Sequence, residues 1–429
     1  MTTPELYQLF RKYPHITTDS RNCPPDSLFF ALKGEHFDGN DYIETALSNG
    51  AMYAVSDRKN VSGERVIQVK DSLKCLQELA NYHRKQMNAV VIAITGTNGK
   101  TTTKELTARV LSSRFQTLYT QGNFNNHIGV PLTLLQLKES DEMAVIEMGA
   151  NHLGEIETLC RIAEPDFGLI TNIGKAHLEG FGSFEGVIRA KTELYDYLRK
   201  NGGKVFANAD NPILSSFFAS IELISYGKTS GNFVSGVIRK DIPSLEIEWK
   251  RENGEEQFIS SHLTGAYNFE NILAAVCIGT FFGIDAKTVT HAINNYIPSN
   301  NRSQYIQTAR NTLIADAYNA NPSSMQAALT HFSQLKTSPK MAILGEMKEL
   351  GSYSEEEHRN IVRLLKENPI EKVWLIGVGF EVDELLPEWK LFPTTQELTD
   401  YLRQFPVENY LVLLKGSRSN QLETIIPFL

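Results

Sequence analysis

From residue 88 onward, short apolar runs alternate with stretches of helical periodicity. VVIAIT precedes a helical stretch from Thr102 to Leu111 that sets Leu106, Val110 and Leu111 on one side, and MAVIEMG (143–149), DFGLITNIG (166–174) and KVFANAD (204–210) repeat the strand pattern. Apolar runs of this kind suit strands buried on both faces. The rhythm predicts a parallel sheet covered by helices, with ligands at the carboxyl ends of its strands. Residues 228–263 differ, with period-two stretches around Asn253-Gly254, a dipeptide that favours a tight hairpin turn, so an antiparallel edge is expected there. Asn268 to Phe282 reads as a helix stopped by Gly283, and Asp285 as the cap of the next.

A further alternating unit starts near Pro298: TLIAD, a helix from Pro322 to Leu335, MAILG, a helix around Glu355 to Lys366, KVWLIG and YLVLLKGSR. The first 85 residues are shorter and more mixed, with strands SLFFAL and AMYAVS and turn clusters such as Lys33-Gly34-Glu35, followed by a helix from Ser72 to Gln86. Three α/β domains are therefore expected, over 1–85, 86–297 and 298–429. A hydrophobic share of 41% excludes a disordered chain, and a net charge of −8 argues against a protein that coats nucleic acid, so an anionic substrate needs local basic groups. Cys23, Cys75, Cys160 and Cys277 form no C-x-x-C pair, which suits reduced packing thiols in a cytosol. No apolar run approaches a membrane span and no leader pattern opens the chain, so a cytoplasmic protein without membrane insertion is expected.

The richest chemistry lies in AITGTNGKTTT. A buried strand runs into a glycine turn and then a helix, which places Gly96, Thr97, Asn98 and Gly99 where backbone N–H groups meet a polyphosphate at a helix N-terminus. Lys100 reaches the β and γ phosphates, and the Thr101 hydroxyl, followed by Thr102, suits Mg²⁺. The strict pattern has glycine where this chain has Ile94, so the loop is a variant.

Polar groups close the other strands. Glu147 ends MAVIEMG, where a buried carboxylate needs a partner, and a nearby cation is the economical one. His177 follows DFGLITNIG and is either a loop histidine satisfied by backbone or, with Glu147 and Thr101, part of a site for Mg²⁺ or Mn²⁺. Asn125 and Asn126 lie in a loop that either binds a ligand or forms Asx turns. Lys191 in VIRAKTELYDYL has the ordinary reading of a solvated helix lysine. Asp316, Asn319 and Asn321 follow an apolar strand and are more than a loop needs, and Lys415 and Arg418 form a basic glycine turn that either meets an anion or lies on the surface.

Together GTNGKTTT, AVIEMGANHLGEI, AHLEGFGSFEGVIRAK, TGAYNFENILAA, LIADAYNANPSSMQAAL, ILGEMKELG and LLKGSRS resemble the Mur ligase family, the ATP-dependent amide-bond ligases of peptidoglycan precursor synthesis, over nearly the whole chain. The resemblance implies a small uridine-nucleotide domain, a central P-loop-like ATPase domain with a mostly parallel sheet, and a C-terminal Rossmann-like domain. It implies ATP and Mg²⁺, two metal sites with Thr101, Glu147, His177 and a carbamylated Lys191 as ligands, adenine contact by Asn271, phosphate contact by Arg302 and ribose contact by Asp316. Lys100, Lys191, His177 and Arg302 are the implied catalytic groups. Ser20, Arg21, Phe37, Asp38 and Gly39 match the region that grips uridine diphosphate. Asn125, Asn126, Asn319, Asn321, Lys415 and Arg418 fall on the substrate side. Two positions depart from the family pattern, Tyr267 for a histidine and Asn301 for a glycine.

Within the family, TTDSRNCPPDSLFFALKGEHFDGNDYI and DAYNANPSSM with GEMKELG resemble the member that joins D-alanyl-D-alanine to UDP-N-acetylmuramoyl-tripeptide through an acyl phosphate, releasing ADP and phosphate. A monomer is expected. The rival readings are a sister ligase adding one amino acid, a folylpolyglutamate-synthetase-like ligase, and a nucleotide-gated binding protein without ligation.

Overall fold

The computed structural model describes residues 1–59, 61, 63–241, 244–298, 302–368, 370–382 and 385–429. The chain forms two compact units, one of Met1–Ala93, Phe115–Gly149 and Gly154–Phe167, the other of Ile94–Arg114, Ala150–Leu153 and Gly168–Leu429. In the first, strands His15–Thr17, Ser27–Phe30, Ala51–Ser56 and Val66–Gln68 form an all-parallel four-stranded sheet. Ser72–Gln86 is a helix capped by Asp71, whose carboxylate accepts from the Lys74 N–H.

A nine-stranded sheet is ordered Gln257–Ser260, Glu246–Arg251, Val234–Lys240, Glu222–Gly227, Lys204–Asn208, Phe167–Ile170, Val90–Thr95, Met143–Glu147, Thr117–Tyr119. Its first three strands are antiparallel, as the period-two pattern requires, while Val234–Lys240 and Lys204–Asn208 both run parallel to Glu222–Gly227. Asn253 takes the left-handed conformation (φ 58°), but the connection runs from Arg251 to Gln257 and is longer than a two-residue hairpin turn. The strand expected over 166–174 stops at Ile170, because Thr171 and Asn172 turn their bonds to the loop after Thr95.

Helix Asn268–Phe281 is apolar nearly all round, and it is buried from Ile272 through Gly279. The six-stranded sheet is ordered Gln304–Gln307, Thr312–Asp316, Leu411–Lys415, Lys340–Gly345, Lys372–Ile376, Lys390–Phe392, parallel except for its first pair. The last strand of the chain is thus inserted between two earlier ones. That insertion buries Val412 and Leu414 against Leu313, Ile343 and Trp374, and it sets Asp316 opposite Lys415 in register.

Candidate active site

The strand Val90–Thr95 leads through Gly96 (φ 138°) and Gly99 (φ 78°) into the helix Lys100–Leu111, two residues earlier than the apolar spacing predicts. Neither glycine has room for a side chain. A Cβ on Gly96 would lie 2.0 Å from Thr171 Oγ1, and one on Gly99 would lie 2.4 Å from Asn271 Oδ1. The segment after Ile170 shapes the turn: Thr97 N–H donates to Asn172 O (2.9 Å), Asn98 N–H to Asn172 Oδ1 (3.0 Å), and Thr171 Oγ1 to Asn98 O (2.6 Å). Lys100 folds back, its Nζ donating to Gly96 O (2.8 Å) and Thr97 O (3.0 Å). Thr101 and Thr102 are buried in the first helical turn, so the loop presents a helix N-terminus and a cation in one place.

Asn271, expected at adenine, bridges two helices: Oδ1 accepts from Thr103 Oγ1 (3.0 Å) and Nδ2 donates to Asn268 Oδ1 (2.9 Å). Asn321 caps the helix Pro322–Gln334 by accepting from Ser324 N–H (2.9 Å) and also donates to Asn98 Oδ1 (2.8 Å). Lys175 N–H donates to Ser323 Oγ (2.7 Å), and Lys175 Nζ pairs with Glu357 at 2.6 Å. These bonds bring the phosphate loop, the segment 172–177 and the helix starts at 321–324 and 354–357 together. Asn319 instead closes its own turn, accepting from Ala320 N–H.

Arg302 lays its guanidinium 3.7 Å from the centre of the Tyr318 ring, and its buried Nε has no hydrogen-bond partner among the described residues. Arg418 lies 5.7 Å from the same ring and pairs with Glu423 at 2.9 Å. Asp316 and Lys415 form an ion pair at 2.5 Å, with the lysine side chain only 2% exposed, and Ser303 N–H donates to Asp316 at 3.3 Å. The register of adjacent strand ends makes this pair, so Lys415 is a buried cation and not part of an exposed turn. Tyr267 meets Ser303 Oγ at 2.9 Å, and burial pushes its phenol pKa up. Asn301 lies outside the described residues.

His177 sits in left-handed backbone (φ 49°) at the start of the short helix Leu178–Phe181 and meets Glu349 Oε2 through Nδ1 at 2.5 Å. That bond holds the Glu349 carboxyl below the usual range. Lys191, a solvated helix lysine on the ordinary reading and a metal-site lysine on the resemblance, is 2% exposed. Its Nζ donates to Ala150 O at 3.4 Å and lies 5.3 Å from the Phe181 ring centre. The helix Phe184–Asn201 turns Lys191 to the same side as Val187, Ala190 and Leu194.

In the other compact unit Glu147 ends its strand 2% exposed and accepts from Asn125 Nδ2 at 2.7 Å. Asn126 forms the Asx turn: its Oδ1 accepts from the N–H of Ile128 and Gly129. Asp38 accepts from Asn40 N–H (2.9 Å) and from Arg58 (2.9 Å), Asn40 also donates to Asp57 (3.0 Å), and Gly39 lies so close to Leu32 O that a Cβ would come within 2.5 Å. Phe37 is exposed, Arg21 is clamped by Asp19, and Ser20 O accepts from Asn49. Asn40 lay inside the motif FDGNDYI, whereas Asp57 and Arg58 follow the strand Ala51–Ser56 and only the fold brings them to the Asp38 turn. Glu349 and Tyr318 lay inside the motifs ILGEMKELG and DAYNANP, which were the available signal.

Among the described residues no three His, Cys, Asp or Glu side chains cluster to hold a metal. The Thr101 hydroxyl at the phosphate loop fits Mg²⁺ even so, since that ion takes oxygen ligands, substrate phosphates among them, and keeps several waters.

A glycine turn of this kind, tied through Asn98 to Asn321 at a helix start beside a six-stranded, mostly parallel sheet, defines a nucleotide-dependent enzyme of the α/β class. Three family descriptions match in series: Mur ligase family, catalytic domain over residues 12–84, Mur ligase middle domain over 94–279, and Mur ligase, glutamate ligase domain over 301–418. The chain belongs to the Mur ligase family. It is 37% identical to the UDP-N-acetylmuramoyl-tripeptide–D-alanyl-D-alanine ligase of Haemophilus influenzae, over 96% of this chain and 92% of that protein. Among solved structures it resembles MurF from Acinetobacter baumannii (TM-score 0.89, 32% identity, 99% and 98% of the two chains). It also resembles the MurF ligase from Thermotoga maritima in complex with ADP (TM-score 0.85, 27% identity, 96% of each chain).

Proposed function

We propose that this chain is the ATP-dependent, ADP-forming ligase that joins D-alanyl-D-alanine to UDP-N-acetylmuramoyl-tripeptide, giving the pentapeptide precursor of peptidoglycan. One observation carries the reading: similarity to that ligase of H. influenzae spans 96% of this chain, well beyond the nucleotide-binding stretch. The phosphate loop supports it, because its N–H groups and Lys100 are already gathered at a helix N-terminus.

The tripeptide's terminal carboxylate attacks the γ-phosphorus of ATP, giving an acyl phosphate and ADP. The dipeptide amine then attacks the acyl carbon, and the tetrahedral intermediate expels phosphate as the nitrogen loses its proton. Two anions must meet in the first step, so positive charge supplies most of the catalysis. Lys100 exchanges its bonds to Gly96 O and Thr97 O for phosphate oxygens, and Arg302, stacked on Tyr318, offers the buried Nε. Thr101, Glu147, His177 and a carbamylated Lys191 would hold Mg²⁺ at two sites, and the metal when bound neutralises developing charge on the phosphates. Asn271 and Asp316 lie on the adenosine side. Ser20, Arg21 and the Phe37–Gly39 turn receive the uridine diphosphate, while Asn125, Asn126, Asn319, Asn321, Lys415 and Arg418 serve the peptide side. Among the described residues no helix is long and apolar enough to cross a membrane; a cytoplasmic monomer is the proposed state.

The test is ADP release followed across candidate amines and UDP-muramoyl peptides, with and without EDTA. Release should require Mg²⁺, the tripeptide and D-alanyl-D-alanine together. Equal turnover with a single amino acid, or with a folate, overturns the assignment.

A further inference from the structure

His177 and Glu349 come from different family-matched stretches, 94–279 and 301–418, yet their side chains meet at 2.5 Å. Both residues occupy left-handed backbone (φ 49° and 61°), a conformation non-glycine residues adopt only where the surroundings impose it. The surroundings do so here. Met347 N–H donates to His358 Nε2 (3.0 Å), Lys348 N–H to Ser417 Oγ (2.9 Å), and Glu349 O accepts from Glu179 N–H (3.3 Å). Leu350 is buried, and Phe181 stands edge-on to the His177 ring at 6.3 Å.

An imidazole that gives its Nδ1 proton to a carboxylate keeps a lone pair on Nε2 and loses its freedom to rotate or change tautomer. We propose that Glu349 is a positioning residue that holds His177 in the Nδ1–H tautomer and aims Nε2 at the divalent cation accompanying ATP. The inference rests on the reading of His177 as a metal ligand. It adds that the cation site is complete only while the stretch carrying Glu349 is docked, so docking of the C-terminal stretch and metal affinity are coupled.

The test is a Mn²⁺ titration followed by electron paramagnetic resonance, with ADP present and peptide substrates absent so that nothing turns over, alongside thermal melting. Glu349→Ala should bind Mn²⁺ about 10- to 100-fold more weakly, the range found for loss of an outer-shell partner. Glu349→Gln, whose amide oxygen still accepts from Nδ1–H, should fall between the two. If Glu349→Ala melts lower but binds Mn²⁺ as wild type does, the role is structural and the inference fails. Should that variant not fold, Glu349→Gln decides, and unchanged Mn²⁺ affinity overturns the proposal. His177→Ala separates the two readings: weak Mn²⁺ binding there with normal binding in both Glu349 variants sinks only the positioning role, whereas wild-type binding in His177→Ala sinks the ligand assignment beneath it.

Discussion

Replacing Gly96 by alanine tests whether the phosphate loop is shaped from outside itself. The new Cβ would lie 2.0 Å from Thr171 Oγ1, 3.0 Å from Thr171 N and 3.1 Å from Asn172 O, and the last two are backbone atoms that cannot swing aside. The residue would also keep φ near 138°, outside the ordinary range of an L side chain. Backbone strain of about 1–3 kcal/mol, overpacking of about 1–3 kcal/mol and loss of the Thr171–Asn98 bond at about 0.5–1.5 kcal/mol act together. The sum, about 2.5–7.5 kcal/mol, is a large share of the roughly 5–15 kcal/mol that stabilises a typical protein. Urea unfolding should show that loss, and ADP calorimetry should show weakened binding. Adding Thr171→Ala removes the closest clash and should return about 1–3 kcal/mol as coupling between the two sites. An unfolding free energy for Gly96→Ala within about 1 kcal/mol of wild type, with normal ADP affinity, would refute the reasoning.

Lys100→Ala should abolish ligation in the ADP-release assay, because the cation that would meet the phosphates is gone; near-normal turnover would remove Lys100 from its assigned role. Lys415→Met strands the Asp316 carboxylate and should cost about 3–5 kcal/mol in urea unfolding, whereas Lys415→Met with Asp316→Leu should recover most of it; a costless single variant contradicts the pairing. His358 is buried, donates Nδ1–H to Ser354 O and accepts from Met347 N–H, and burial lowers its pKa while Glu346, Lys348 and Glu357 face it. The unfolded chain therefore takes up a proton near pH 6.5 that the fold refuses, so stability should be full above about 6.5 and fall as pH drops through the depressed folded value. His358→Gln should flatten that fall in urea melts between about pH 7 and 5, and an unchanged slope would sink this account.

What local chemistry encodes was legible. The strand, glycine turn and helix of the phosphate loop, the Ser72–Gln86 helix, the Gly283 stop and the Asp285 cap all follow from residues within a turn of one another. The Asx turn at Asn126 was equally local. Errors came where distant groups intervene: the strand expected over 166–174 ends at Ile170 because Thr171 and Asn172 serve another loop, and the ordinary reading of Lys191 as solvated fails because its helix packs on that side.

The kind of chemistry was announced in the chain itself, since a phosphate cradle is marked by particular residues at particular spacings, although its final shape leans on Thr171 and Asn172. Tertiary structure alone decided who answers whom. The last strand enters between Thr312–Asp316 and Lys340–Gly345, and only that order puts Lys415 against Asp316. Likewise only the docked turn at Glu349 turns His177 from a loop histidine into an oriented one. Strand order and docking are set by burial summed over a whole core, and no short stretch of sequence carries that sum.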